Sequence, residues 1–278
     1  MVGKVGIIYH PKIEAARVKA GELEGFLVSR GVSVWHCSAW EAEIAKAQLN
    51  GTDMILGVGG DGTILRAANI VIPEKIPIVG INLGKLGFMT ELGSDEALEK
   101  LPSLLSGEGW IDERAMLEAE LSTASQEPPL VFHALNDVVV ARGAVARLVR
   151  IEAAIDDNYL TTYKADGVLA ATATGSTGYS LAAGGPVLYP QSSDFLLVPI
   201  VSHLCSAHAL VLSSTATLRL TVGALYQATL SIDGHMNLTL SGGATVKIKQ
   251  SPHKVRFLRI HQEDSFYNSL EQRLKGKQ

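Results

Sequence analysis

The sequence predicts an α/β unit followed by a β-rich unit: a Rossmann-like N-terminal domain over residues 1–110, a β-sandwich-like domain over 111–262, and a returning C-terminal helix over 263–278. Three observations carry this reading. Short apolar runs alternate with helical periods as far as Trp110. After it, apolar runs recur roughly every 8 to 12 residues with turn signals between them. A chain of 278 residues also exceeds what one ordinary core holds.

The elements follow in order. Val5 to Tyr9 reads as a buried strand, and Ile13, Ala16, Ala20, Leu23 and Leu27 fall on one helical stripe that stops at Gly31. Val32 to Cys37 is a second strand; Ser38 and Glu41 have the spacing of a capping box for a short helix. Met54 to Val58, Ile64 to Val71 and Ile76 to Ile81 continue as strand, helix and strand. Such a run makes a mostly parallel sheet whose ligand site lies at the carboxyl ends of its strands. Beyond Trp110 the candidate strands are Ala115 to Leu121, Phe132 to Ala141, Val145 to Ile155, Tyr159 to Tyr163, Thr217 to Val222, Tyr226 to Ile232, Asn237 to Leu240 and Ala244 to Lys249. Asp156-Asp157-Asn158, Asp233-Gly234 and Gly242-Gly243 are hairpin turns, and Ser122 to Pro129 is a surface loop. Phe266, Leu270 and Leu274 give Asp264 to Leu274 a helical spacing.

Composition narrows the function classes. Hydrophobic residues make up 47% and charged residues 19%, enough apolar mass for a sizeable core. Twenty-four Lys and Arg against 28 Asp and Glu leave a net charge of −4, with no basic cluster interleaved with aromatics, so a nucleic-acid surface is excluded and a small-molecule partner expected. Cys37 and Cys205 form neither a close pair nor a framework, which suits a reducing, cytoplasmic setting. No stretch reads as a signal peptide or membrane span.

Four constellations carry chemistry. Gly57-Val58-Gly59-Gly60-Asp61-Gly62-Thr63 follows a strand and opens a helix, either as a plain tight turn or as a loop whose backbone N–H groups converge on an anion; Asp61 favours the second, since a carboxylate there takes a proton from a hydroxyl or holds a metal. It is a weak dinucleotide fingerprint, since Ile81-Asn82-Leu83 stands where the ribose-binding acid belongs. Thr172 to Ser180, with Thr174, Ser176, Thr177, Gly178 and Tyr179, either presents hydroxyls and small residues that a flat or phosphorylated ligand can approach, Tyr179 stacking on a base, or is a Ser/Thr-rich strand-to-helix connection. Asn136-Asp137 heads a strand, either as a ligand pair or simply as its start. Lys164 and Asp166 share a strand face, as ligand contacts or as a solvated ion pair. His203, Cys205 and His208 lack a second cluster, and no metal-ligand set is assigned to protein side chains.

Taken together, Gly59-Gly60-Asp61-Gly62-Thr63, Asn82-Leu83-Gly84-Lys85-Leu86-Gly87-Phe88, Glu113-Arg114, Leu135-Asn136-Asp137, Ala165-Asp166-Gly167 and Thr174-Gly175-Ser176-Thr177 through Gly184-Gly185-Pro186 resemble the NAD kinases over about Lys4 to Leu274. The glycine motif alone is shared with diacylglycerol and sphingosine kinases; the later motifs make the resemblance specific. It implies phosphorylation of the 2′-hydroxyl of the adenosine ribose of NAD, with ATP or inorganic polyphosphate as donor and Mg²⁺ as cofactor, in a homo-oligomer, dimer or tetramer. By the same resemblance Asp61 is the proton acceptor, and Gly60, Gly62, Thr63 and Arg66 contact phosphate or ribose. Asn136 and Asp137 bind ribose or base edges, Arg147 and Lys164 approach phosphates, and Asp166 meets a carboxamide or amino group. Thr174, Thr177, Gly178, Tyr179, Ser180, Leu181 and Ala182 line the base pocket, and His235 contacts ligand. Ala173, Gly178, Ser206-Ala207-His208-Ala209 and His235 depart from the usual pattern, and the stretch around His208 lacks the arginine common there. A lipid kinase and a non-catalytic NAD(H)-binding regulator are the rival readings; the first lacks a membrane-facing segment, and the second has no need of Asp61 beside a phosphate.

Overall fold

In the computed structural model the described residues are 2–84, 87–123, 126–143, 148–200, 208–261, 266–267 and 270–271. They fall into two units, one of Met1–Glu113 with Val255–Gln278 and one of Arg114–Lys254.

The first unit runs β1 (Lys4–Tyr9), α1 (Glu14–Val28), β2 (Ser33–Ser38), α2 (Ala42–Gln48), β3 (Met54–Val58), α3 (Asp61–Val71), β4 (Ile78–Asn82), β5 (Leu92–Gly93) and α4 (Ser94–Leu105). Strands β4, β3, β1 and β2 lie side by side and parallel. Every residue of β3 and β4 is buried, which is why both read as unbroken apolar runs. Ala16, Ala20, Leu23 and Leu27 form the buried stripe of α1 and pack with Val5, Ile7, Met54 and Leu56. Ile13 is not part of it: it is the extended N-cap residue and is exposed. Gly31, at φ 78°, closes the turn after α1 in a conformation that costs a side chain dearly. Ser38 is not the N-cap of the helix, and no side-chain cap bond forms. Glu41 itself is the N-cap of α2, its carboxylate accepting the Ser38 N–H at 3.1 Å. The apolar pattern assigns no element to α4, whose interior Pro102 argues against a helix although Ala97, Leu101 and Leu104 are buried.

Strand β6 (Trp110–Thr123) leads into the second unit. There follow β7 (Gln126–Ala134), β8 (Asp137–Arg142), β9 (Val149–Ile155), β10 (Asn158–Ala165), β11 (Gly167–Ala171), α5 (Tyr179–Ala182), β12 (Phe195–Ile200), β13 (Leu210–Leu212), β14 (Leu218–Val222), β15 (Ala228–Ile232), β16 (Met236–Leu240) and β17 (Thr245–Arg259). One antiparallel sheet has the order β13-β12-β11-β8-β15-β16, and β10-β9-β14-β17 form a second. Val138, Val140, Val168 and Leu230 of the first sheet share one buried cluster with Ile151, Leu220, Val246 and Ile248 of the second. This is the expected sandwich.

Several boundaries move for identifiable reasons. The run Phe132 to Ala141 breaks between β7 and β8 because the Asp233 carboxylate takes the N–H groups of Leu135, Asn136 and Asp137. The expected loop Ser122 to Pro129 is mostly strand: β6 and β7 pair from Leu117 with Ala134 to Thr123 with Gln126. Strands β11 and β12 are buried on both faces and lack alternation, and Pro199 further disguises β12. Strand β17 passes through Pro252 instead of ending at Lys249; its residues from Val255 on belong to the first unit, within which Phe257 pairs with Ile78. The helix expected over 263–278, the start of the strand expected at Val145, Arg147, His203 and Cys205 lie wholly or largely outside the described residues. No described helix is long and apolar enough to cross a membrane.

Candidate active site

Two clusters of polar groups emerge, one in each unit. In the first, β3 ends at Val58 and the chain turns at Gly59, at φ 153°, where a Cβ would overlap the Thr63 hydroxyl. Helix α3 then opens at Asp61. Asp61 does not cap its own helix: its carboxylate turns to the loop after β4 and accepts the N–H groups of Phe88 and Met89, each at 3.1 Å. Gly87 allows this, since a Cβ there would fall on the Asp61 carboxylate. Among the described residues, the N–H groups of Gly60, Asp61 and Gly62 then have no hydrogen-bond acceptor, and a Cβ on Gly60 or Gly62 would meet open space. Free first-turn N–H groups facing open space form an anion site.

The loop that holds Asp61 is itself held. Arg259 donates from Nη1 to the Met89 carbonyl at 3.1 Å and to Glu91 Oε2 at 3.2 Å, and from Nε to Asp112 Oδ2 at 3.1 Å. Glu91 Oε1 accepts the N–H groups of Ile260 and His261, each at 2.9 Å. Arg259, Glu91 and Asp112 are all buried. Thr63, buried beside Gly59, has a hydroxyl with no partner among the described residues. Arg66, just over a turn along α3 from Asp61, lays its guanidinium over the Trp40 ring at 4.3 Å.

In the second unit Asp233, at φ 49° in the β15–β16 turn, receives the N–H groups of Leu135, Asn136 and Asp137 at 2.9, 2.7 and 3.1 Å. This fixes the Asn136-Asp137 corner beside a cavity of about 530 Å³ lined by Asn136, Asp137, Arg142, Tyr179, Asp233 and Asn237 among others. Burial, and then the nearby Asp233 charge, push the Asp137 carboxyl up to about 7. Asn136 Oδ1 and Ser180 Oγ are buried with no partner among the described residues. Tyr179, 47% exposed, stands at the cavity with its ring free of the core.

The hydroxyl-rich segment takes the structural one of its two sequence readings, a Ser/Thr-rich connection between β11 and α5. Thr172 Oγ1 donates to the Leu135 carbonyl and accepts the Gly175 N–H; Ser176 Oγ donates to the Ala173 carbonyl; Thr177 Oγ1 donates to the Thr174 carbonyl. Thr174 accepts from Arg114 at 3.3 Å. These hydroxyls are buried and build the loop instead of presenting a polar face, because a segment packed this tightly must satisfy its own carbonyls. Gly175 is pressed against the Asn136 backbone, where a Cβ would overlap it. Gly178 and Leu181 are half-buried and Ala182 exposed.

Lys164 and Asp166 do not form an ion pair. Asp166 lies at the corner between β10 and β11, where strand alternation ends, and it pairs with Arg142 at 2.9 Å, leaving Lys164 exposed on β10. His235, half-buried, has Nδ1 3.2 Å from the Asp233 carbonyl oxygen. Sequence reasoning took Asp233 only as a turn residue and passed over Arg142, Asn237 and Arg259. The acid preceding Gly234 was the available signal, since a turn carboxylate reaches nearby N–H groups. No group of three or more metal-ligating side chains occurs among the described residues.

Comparison with known proteins bears on this geometry. Residues 5–109 match the model of the ATP-NAD kinase N-terminal domain, and residues 135–260 that of the ATP-NAD kinase C-terminal domain. An NAD kinase of Dehalococcoides mccartyi is 48% identical over 276 residues, covering 99% of this chain and 97% of its own. One from Chloroflexus aurantiacus is 39% identical, with 99% of each chain covered. Among solved structures, yeast NADH kinase complexed with NADH superposes with a TM-score of 0.89 at 25% identity, over 99% of this chain and 88% of that one. An Archaeoglobus fulgidus NAD kinase in complex with ATP shares the fold, with a TM-score of 0.76 at 23% identity and 98% of each chain covered. With both family models matched and full-length relatives at this identity, the chain belongs to the NAD kinase family.

Proposed function

We propose that the protein transfers the terminal phosphoryl group of ATP, or of inorganic polyphosphate, to the 2′-hydroxyl of the adenosine ribose of NAD, and that Asp61 accepts the hydroxyl proton. One observation carries the assignment of Asp61: its carboxylate is held by two N–H groups and turned away from its own helix, beside three N–H groups that have no acceptor among the described residues. Phosphoryl transfer needs an aligned hydroxyl, a nearby base and positive potential around the phosphates, and little covalent chemistry from the protein. A carboxylate fixed in place supplies the base, and the free N–H groups of Gly60, Asp61 and Gly62 supply potential without a side chain in the way.

Asn136 and Asp137 bind ribose or base edges of the dinucleotide at the second-unit cavity, with Tyr179 stacking on a ring. Asn136 Oδ1 supports this: it lines the cavity and has no partner among the described residues, and a buried polar atom without a partner is costly until a ligand donor relieves it. By their place in the family motifs Thr174, Thr177, Gly178, Leu181 and Ala182 serve the base pocket, Thr174 and Thr177 by building the loop that carries Tyr179, while Arg147 and Lys164 approach phosphates, Asp166 meets a carboxamide or amino group, and His235 contacts ligand. Mg²⁺ fits as an ion delivered with the nucleotide: Asp61 is a single carboxylate, and this cation takes one or two carboxylates together with substrate phosphates. When bound, it neutralises charge on the transferred phosphate. The protein works in the cytoplasm as a homo-oligomer, dimer or tetramer.

The test is NADP formation from NAD, Mg²⁺ and either ATP or polyphosphate, run beside Asp61→Asn. Turnover by the wild type and none by the variant, with NAD binding kept in calorimetry, supports the assignment; loss of binding in the variant would make Asp61 a ligand holder instead.

A further inference from the structure

The carboxyl edge of the parallel sheet carries more than the Asp61 cradle. With the strand order β4-β3-β1-β2, the loop after β3 holds Gly59 and Gly60, the residue after β1 is His10, and the loop after β2 holds Trp40. His10 and Trp40 meet edge to face with centroids 4.8 Å apart, and the Arg66 guanidinium lies over the Trp40 ring at 4.3 Å. The His10 side chain also borders Gly59, its Cβ lying 3.3 Å from where a Gly59 Cβ would stand.

A tryptophan that serves the core is covered, yet Trp40 remains 44% exposed although Arg66 and His10 pack on it. It is not loosely held. Its backbone N–H donates to Ser38 Oγ at 3.1 Å, and the Ser38 backbone N–H donates to the Glu41 carboxylate at 3.1 Å. The result is a planar, cationic and aromatic platform two strand positions from the glycine loop, about 10 Å at the usual strand spacing. That is the reach of a short phosphate chain laid across the N–H groups of Gly60, Asp61 and Gly62, which have no acceptor among the described residues.

We propose that the Trp40–Arg66 stack binds the base of a nucleoside triphosphate whose phosphates lie on the N–H groups of Gly60, Asp61 and Gly62, so that the donor is a nucleotide in preference to inorganic polyphosphate. The inference rests on the proposed use of those N–H groups for donor phosphates. Aromatic faces and guanidinium planes both stack on bases without reading their edges, so the platform selects for having a base and only weakly for which base. Polyphosphate gains nothing from it.

The test uses the intact protein with Trp40→Leu and, as a milder variant that keeps a ring, Trp40→Phe. Tryptophan fluorescence is titrated with Mg·ATP and, separately, with magnesium tripolyphosphate, and KM values for ATP and NAD are measured. The expected result is quenching of the wild type by ATP and much less by tripolyphosphate, lost in Trp40→Leu. KM for ATP should rise about tenfold or more in Trp40→Leu and less in Trp40→Phe, the effect of losing one base–aromatic stack, without a parallel rise in KM for NAD. Equal response to ATP and tripolyphosphate, or an unchanged KM for ATP in Trp40→Leu, overturns the platform. Quenching by ATP in a protein that makes no NADP would leave the platform standing and remove the phosphotransfer assignment instead.

Discussion

Asp233 fixes the position of Asp137 and at the same time opposes its charge. The Asp233 carboxylate accepts the Asp137 N–H at 3.1 Å, the Asp137 carbonyl accepts the Asp233 N–H at 2.9 Å, and burial together with the Asp233 charge holds the Asp137 carboxyl up to about 7. The corner that presents Asp137 to the cavity is thus built by the group that makes its ionisation unfavourable.

A pH dependence of stability follows. Between about 4, where Asp137 ionises in the unfolded chain, and about 7, where it ionises in the folded one, the native state binds more protons, so stability falls as pH rises through that window and levels off above it. Asp137→Asn, which carries no charge, removes this slope. The ligand-free variant should gain stability over the wild type at pH 8, by roughly 4 °C or more in Tm, and little at pH 4. A thermal-shift series across pH checks this; equal gains at both ends would remove the charge explanation.

Gly87→Ala separates activity from stability. The added Cβ would land on the Asp61 carboxylate, which can swing away at small cost because it ends a flexible side chain. The variant should stay within about 1 kcal/mol of wild-type stability. NADP formation should fall tenfold or more, since Asp61, the proposed base, would no longer be held by the Phe88 and Met89 N–H groups. Full activity in the variant would show that the geometry of Asp61 is not limiting.

Arg259→Met should be strongly destabilising. It strips the buried Glu91 and Asp112 carboxylates of their cation and releases the Met89 carbonyl. Breaking one side of such a pair costs about 3–5 kcal/mol, a Tm loss of about 10 °C. Arg259→Lys should recover part of this loss, because a single ammonium cannot span Nε and Nη1 contacts together. Denaturant unfolding of both variants provides the measurement.

Tyr179→Ala should weaken NAD binding about tenfold through loss of stacking at the second-unit cavity while leaving Tm nearly unchanged, since the ring is exposed. An unchanged dissociation constant in calorimetry would return Tyr179 to an unliganded surface role.

Much of this protein is legible in its sequence because the responsible interactions are local. Apolar runs at Val5 to Tyr9 and Met54 to Val58 become parallel strands, the stripe from Ala16 to Leu27 becomes the buried face of α1, and Gly59-Gly60-Asp61 opens α3. Each follows from side-chain period or from a backbone conformation only glycine adopts freely. The order of the glycine, Asn-Asp and Thr-Gly-Ser-Thr motifs marked the family for the same reason: each is a short segment whose residue types are set by one turn or corner.

What the tertiary structure alone decided are pairings between residues far apart in the chain. That Asp61 faces Phe88 and Met89, that Arg259 secures that loop, that Asp233 holds the Asn136-Asp137 corner, and that Asp166 pairs with Arg142 and not Lys164 all depend on which strands become neighbours. Period along the chain fixes which face a side chain takes, but not which distant group stands opposite it. That is settled only when sheet order and register bury the apolar faces together and every N–H and carboxylate carried inside must find a partner.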